Sequence, residues 1–248
     1  MSNASSFGRQ STTYAKGRPG YPPALYDWIV ANSPDTQAVW DVGCGSGQAT
    51  ISLADYFKQV HATDISDAQI QAAPPHANIN YAVAQAHESG LPDDWADAIT
   101  VATAVHWFAN QQFWQDVTRV TKSGGLFCAW TYQLPVAATD VMRDFLTPVF
   151  NLIDPYWARG NRICMAGYDA ENLNCPLRVI ETPKLNADYE WTALQLADFA
   201  QSWSAHLRAR EDGLAKQLSH LRNDFLVRNG EKAISISLPL SIFAARID

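Results

Sequence analysis

Ala38-Val39-Trp40-Asp41-Val42-Gly43-Cys44-Gly45-Ser46-Gly47-Gln48 is the stretch that decides the fold of this chain. A short, mostly apolar run reads as a buried strand, three alternating glycines close it, and a helical pattern resumes at Gln48. Glycines at such a turn let backbone approach a ligand, and the following helix N-terminus favours a polar or anionic group. In open α/β sheets this turn sits at the carboxyl ends of the strands, where ligands bind. The spacing is Gly-x-Gly-x-Gly, with Gln48 where the dinucleotide fingerprint needs a small residue for close helix packing. The Gly-Lys-Ser/Thr of a phosphate loop is absent. Taken alone, the turn is also compatible with having no ligand.

Outward from the turn, the pattern repeats. Val60-His61-Ala62-Thr63-Asp64 reads as a second strand, and 79–84, 98–104 and 126–131 as three more. Helical spacing over 48–57 offers Ile51, Leu53, Ala54 and Phe57 to a sheet, 67–73 is a second helix, and 111–121 lines up Phe113, Trp114, Val117 and Val120. Asp64 ends its strand where a carboxylate can accept hydrogen bonds from both hydroxyls of a ribose. A helix-capping role is the alternative, though Ser66 or Asp67 would serve there equally. Loop and acid together favour a bound nucleoside over an empty turn.

The alternation predicts an α/β fold: a doubly wound, Rossmann-like, seven-stranded and mostly parallel sheet with a helical, aromatic cap insertion. Residues 1–23 read as an N-terminal arm or lid, stopped by Pro22-Pro23. Residues 24–132 form the nucleoside-binding core. Residues 133–232 hold cap insertions with the sixth strand, and 233–248 the final core strand. Within the cap, 139–153 is helical, 154–169 irregular, 177–191 strand-like, and 192–208 and 213–228 helical. Pro239 inside the last strand suggests an edge position or a bulge.

Composition bounds the function. Hydrophobic residues are 47% and charged residues 17% of 248, enough apolar mass for a sizeable core. The net charge of −7 with no basic stripe argues against nucleic acid and against a polybasic membrane anchor. Cys44, Cys128, Cys164 and Cys175 form no Cys-x-x-Cys pair and the histidines lack metal-ligand spacing, so no metal is expected. No apolar leader or membrane-length run is present, which reads as a cytoplasmic protein with reduced thiols. Nine tryptophans read first as core, with an aromatic-lined pocket as the alternative.

Val39-Trp40-Asp41-Val42-Gly43-Cys44-Gly45-Ser46-Gly47 and His61-Ala62-Thr63-Asp64-Ile65-Ser66 resemble the first and second motifs of the class I S-adenosylmethionine-dependent methyltransferases. Gln85 to Pro92, Trp95 to Ile99, Ala104-Val105-His106-Trp107-Phe108 and Arg119 to Gly125 extend the likeness. Together with Tyr14 and Arg18-Pro19-Gly20-Tyr21-Pro22, they are similar to the type 11 branch that includes trans-aconitate methyltransferase-like proteins. The likeness is specific over 38–131 and thin beyond 132. It implies S-adenosyl-L-methionine as cofactor and S-adenosyl-L-homocysteine as product. It places Gly43, Cys44 and Gly45 against the methionine portion and Asp41 near its amino group. Asp64 falls on the ribose, Ile65, Gln85 and Ala86 at the adenine, and Thr103-Ala104 under the sulfonium, with Tyr14 and Arg18 closing over the methionine end. The branch usually carries Ala-Glu where this chain has Ala86-His87, and Glu88 is the available substitute.

Methyl transfer needs alignment and exclusion of water, and a base only where the acceptor must lose a proton. His106 is the candidate base or substrate contact. Trp107, Tyr156, Arg159, Arg162 and Trp203 are candidate substrate contacts, the two arginines suited to a carboxylate. The expected function is methylation of a small-molecule acceptor, with O-methylation of a carboxylate considered. Alternatives are an NAD(P)-dependent oxidoreductase, disfavoured by Gln48, and a catalytically silent cofactor-binding protein. A nucleic-acid amino-methyltransferase lacks its Asn/Asp-Pro-Pro-Tyr here, the site reading Ala104-Val105-His106-Trp107. Oligomeric state is not set by the sequence.

Overall fold

The computed structural model describes residues 20–248, so Tyr14 and Arg18 lie outside the described residues. Extended Pro22 leads into helix α1 (Pro23–Ala31), whose first position suits proline because no helical N–H is needed there. Strand β1 (Ala38–Val42) and helix α2 (Gln48–Ala54) flank the glycine turn. Then follow β2 (Gln59–Asp64), α3 (Asp67–Ala72), β3 (Ile79–Val83), β4 (Ala96–Ala102), α4 (Gln111–Val120) and β5 (Thr121–Tyr132). A short 3-10 turn, Val105–Trp107, separates β4 from α4. Asn110 caps α4 by accepting from the Phe113 N–H at 3.0 Å.

The sheet runs β3-β2-β1-β4-β5-β8-β6, with β1 to β5 parallel and β8 (Ala233–Arg246) antiparallel to β5. These are the seven strands of a doubly wound sheet. The 177–191 region resolves into two pieces: a two-residue β6 (Arg178–Val179), and β7 (Asn186–Thr192), which adds an eighth strand beside the first half of β8. Pro239 is neither at an edge nor in a bulge. It stands where β8 stops pairing with β7 and starts pairing with β5, a position at which its missing N–H breaks no continuous ladder. Its carbonyl still accepts from the Gln133 N–H at 2.8 Å.

Alternate residues of the central strands feed opposite faces. Val39, Ala98 and Leu126 pack with Leu25, Ile29, Leu53 and Phe57 on the α1–α2 side. Trp40, Ile99 and Phe127 pack with Phe113, Trp114 and Val117 on the α4 side. On α2 the buried positions are Ala49, Thr50, Leu53 and Ala54, with Ile51 only half-buried.

A third core belongs to the 133–232 region. It joins a helical run, α5, made of Thr139–Val141, Met142–Leu146 and Thr147–Ile153, to α7 (Ala193–Gln201), α8 (Ser204–Ala209), α9 (Ala215–Asn229) and the first half of β8. The stretch read as irregular contains one more helix, α6 (Arg159–Ala166). Its sequence holds a glycine and lacks a capping side chain, so tertiary packing and not local propensity makes it helical.

Candidate functional site

The glycine turn leaves each glycine with φ between +56° and +82° at positions 43, 45 and 47, a region that L side chains rarely occupy. The three have different neighbours. A Cβ on Gly43 would lie 2.9 Å from Ala104 Cβ, and one on Gly47 2.5 Å from the Tyr81 hydroxyl. Around Gly45 there is nothing within 4 Å. Two glycines therefore make room for protein, and the middle one opens into a crevice of about 510 Å³, within the range of small-molecule sites.

Asp64, at the end of β2, accepts from the Gly45 N–H at 2.9 Å through Oδ2 and from the Ser66 N–H at 2.8 Å through Oδ1. Its carboxylate borders the crevice, and Ile65 next to it is 60% exposed, an apolar surface offered to a ligand ring. Ala84, Gln85, Ala86 and His87 line that same end. The opposite end is formed by Thr103, Ala104, Trp107, Phe108 and Tyr21. Thr103 is held at φ +55°, an uncommon conformation for a β-branched residue, with its N–H on the Trp130 carbonyl at 2.7 Å. Its hydroxyl lies 3.2 Å from that of Tyr21, which stacks on Tyr132 at 4.9 Å.

Asp41 does not face the crevice, which corrects its expected contact with an amino group. It is fully buried behind the turn, accepting from Thr50 Oγ1 at 2.6 Å and Thr100 Oγ1 at 3.1 Å. Burial is the main cause that pushes its carboxyl up to about 6. The segment 89–93 is tied to α4: the Ser89 N–H donates to Asp116 Oδ2 at 3.1 Å, and Arg119 reaches the Leu91 carbonyl at 2.8 Å and Asp93 at 2.8 Å.

Among the proposed substrate contacts, Trp107 borders the crevice and four others do not. Trp203 is 8% exposed and stacks on Phe150 at 4.7 Å, so it is a core residue of the 133–232 region. Tyr156 donates to Asp212 at 2.6 Å, and Arg162 is engaged by the Asp154 carbonyl at 2.8 Å and carboxylate at 3.2 Å. Arg159 is exposed at the start of α6. His106 does not border the crevice; its Nδ1 lies 2.9 Å from Cys164 Sγ on α6 and 2.8 Å from the hydroxyl of Tyr168 just beyond that helix, with the same sulfur 3.4 Å from Nε2. Among the described residues no group of acids, cysteines and histidines converges as for a metal.

Sequence reasoning gave no role to Tyr21, which borders the crevice; its local signal was the stiff Gly-Tyr-Pro-Pro phrase.

A methyltransferase domain profile, type 11, matches residues 40–129, the turn, both acids and the strands around the crevice. A solved Anaeromyxobacter dehalogenans protein assigned as a type II methyltransferase is 33% identical, with a TM-score of 0.85 over 93% of this chain and 98% of its own. A Dictyostelium discoideum protein assigned as a methyltransferase is 37% identical over 129 residues, 52% of this chain and 49% of that protein. A Saccharomyces cerevisiae protein assigned as an S-adenosylmethionine-dependent methyltransferase is 30% identical over 135 residues, 51% of this chain and 46% of its own length. The chain spans about half the length of the curated relatives it matches. This chain belongs to the class I, type 11 family of S-adenosylmethionine-dependent methyltransferases, and S-adenosylmethionine is its cofactor.

The residues present fit that cofactor. An adenosyl group needs an apolar slot, a carboxylate for its ribose and bare backbone for its amino-acid tail. Ile65 with Ala86, Asp64, and Gly45 supply these in that order along one crevice. When bound, the cofactor supplies an electrophilic methyl on a sulfonium.

Proposed function

We propose that this chain methylates a small-molecule acceptor, reached at the Thr103–Trp107 end of the crevice. The observation that carries the reading is the order of groups along the crevice. Ile65 and Ala86 take the adenine, Asp64 the ribose and Gly45, with Gly43 and Cys44, the methionine portion, so the methyl lies by Thr103 and Ala104, with Trp107 beyond. Gln85 adds to the adenine side. A small acceptor is favoured over nucleic acid because no Lys or Arg borders the crevice among the described residues and the net charge is −7.

For a carboxylate acceptor, the pair of arginines considered from the sequence is not assembled. Arg162 is held by Asp154, leaving Arg159 as the available cation on α6. A neutral acceptor suits this wall better. The oxidoreductase reading finds no support in the crevice, where Gln48 occupies the lining instead of a glycine or alanine packed against the sheet.

Melting temperature with S-adenosylmethionine, S-adenosylhomocysteine or NAD tests the ligand. A rise with the first two and none with NAD is expected; the reverse order would end the methyltransferase reading. Transfer of labelled methyl into a small-metabolite extract tests the reaction, and label confined to added RNA or DNA would refute the acceptor class.

A further inference from the structure

The Gly20 carbonyl accepts two hydrogen bonds, from Tyr132 Oη at 2.6 Å and from Tyr189 Oη at 2.7 Å. A carbonyl oxygen has two lone pairs, so both phenols are served at once. The donors come from different parts of the fold. Tyr132 ends β5 of the main sheet, and Tyr189 lies midway along β7, in the 133–232 region. Burial pushes the Tyr189 hydroxyl up to about 12, so it stays a neutral donor at physiological pH.

The next residue is Tyr21, which borders the crevice. It is fixed from both sides. Before it stands the doubly held carbonyl. After it come Pro22, at φ −65° and ψ 141°, and Pro23, which opens α1. A residue that precedes proline is confined to extended backbone, and proline fixes its own φ, so this joint is stiff. The Tyr21 ring stacks on Tyr132 at 4.9 Å and meets Trp130 edge-on at 5.4 Å, and its hydroxyl lies 3.2 Å from that of Thr103.

Sheet order tells which end of the crevice this wall serves. The strands lie side by side as β2, β1, β4, β5. On the reading above, ribose and methionine portion lie over β2 and β1, where Asp64 and the glycine turn stand. Tyr21 instead touches Thr103, which follows β4, and Tyr132, which ends β5. It is therefore past the methyl position, on the side away from the nucleoside.

We propose that Tyr21 contacts the methyl acceptor, its ring forming the wall against which the acceptor packs, and that Tyr189 and Tyr132 are positioning residues acting through the Gly20 carbonyl. This rests on the small-molecule reading above and deepens it. Because Tyr189 belongs to β7, substitutions in the 133–232 region reach the acceptor through this contact while Asp64 and the glycine turn are left alone.

The full chain labelled with 3-fluorotyrosine gives a fluorine spectrum in which Tyr21 is assigned by the signal missing from Tyr21→Phe. With S-adenosylhomocysteine bound, Tyr189→Phe is expected to shift the Tyr21 signal. Tyr56→Phe is the control and should leave it in place, since Tyr56 stacks on Tyr26 of α1 and does not border the crevice. A Tyr21 signal unmoved by Tyr189→Phe would overturn the positioning role. Calorimetry with S-adenosylhomocysteine, and a dilution series of a small-metabolite extract with labelled S-adenosylmethionine, then separate cofactor from acceptor. Tyr21→Ala is expected to leave the S-adenosylhomocysteine Kd within about twofold and to raise the half-saturating extract concentration about tenfold. Tyr21→Phe keeps the ring and should stay within about threefold of the unsubstituted protein, and Tyr189→Phe should raise the same concentration about threefold. A Kd raised tenfold in Tyr21→Ala, with the extract dependence unchanged, would make Tyr21 a cofactor contact and overturn the proposal. Label confined to added RNA or DNA would refute the small-molecule reading instead, and the fluorine signal would still decide whether Tyr189 holds Tyr21.

Discussion

Asp64 Oδ2 accepts from the Gly45 N–H at 2.9 Å, so the carboxylate that ends β2 holds in place the one glycine of the turn that faces open space. The same side chain accepts from the Ser66 N–H at 2.8 Å, fixing the carboxylate plane while it borders the crevice. Replacing it with asparagine keeps the shape but leaves one amide facing a backbone N–H. Asp64→Asn is expected to weaken S-adenosylmethionine by about tenfold or more, from loss of charge-assisted hydrogen bonding. Titration calorimetry against the unsubstituted protein checks this; equal affinities would remove Asp64 from the ribose site.

Asp41 makes stability depend on pH. Its folded-state value of about 6 lies above the unfolded 3.8, so the folded chain holds this proton more tightly. The contribution is complete below about pH 4 and is lost as pH rises through 6. By neutral pH the loss amounts to about 3 kcal/mol at most. Asp41→Asn should flatten this slope, so melting temperatures measured at pH 5 and 7.5 should differ less in the variant. A variant with the same slope would show that Asp41 ionises without cost.

Gly47 and Tyr81 should couple. A methyl at 47 suffers both the positive φ of +82° and a 2.5 Å approach to the Tyr81 hydroxyl. That hydroxyl is itself buried with no hydrogen-bond partner among the described residues. Gly47→Ala is expected to cost about 2 kcal/mol, while Tyr81→Phe is expected to be close to neutral. The double variant should be less destabilised than the sum, because the worst contact has gone. Strict additivity in denaturant melts would contradict the packing described here.

Arg119 clamps the segment beside the adenine end through Leu91, Asp93 and Asp116. Arg119→Ala should loosen Ser89 to Asp93 without touching the Thr103 end. The expected effect is a rise in the S-adenosylmethionine Kd of about fivefold, equivalent to about 1 kcal/mol, with kcat little altered. A fall in kcat at unchanged Kd would place the effect elsewhere.

What could be read from the sequence was local. Strand, glycines, terminal acid and helix sit within 27 consecutive residues, Ala38 to Asp64, and their order alone implies a nucleoside crevice. The partner exchange at Pro239 could not be read, since it depends on β5 and β7, more than fifty residues apart in sequence, meeting successive halves of one strand. Helix α6 escaped for the same reason: Arg159-Gly160-Asn161 is a poor helical start, and only the seat of Gly160 against Trp107 accounts for it. Trp203 illustrates a different limit. An aromatic in a cap region looks alike in sequence whether it meets a ligand or, as here, Phe150. Asp41 was legible as part of a motif but not as a buried acid, because Thr50 and Thr100 reach it from α2 and β4.

Strand β8 works as a shared girder. Its early residues carry the helices of 133–232 through β7 and its later ones are bolted into the parallel sheet beside β5, with no joint but a proline between. The helical core and the sheet thus cannot swing apart about this member, and a load on one is passed through continuous backbone to the other.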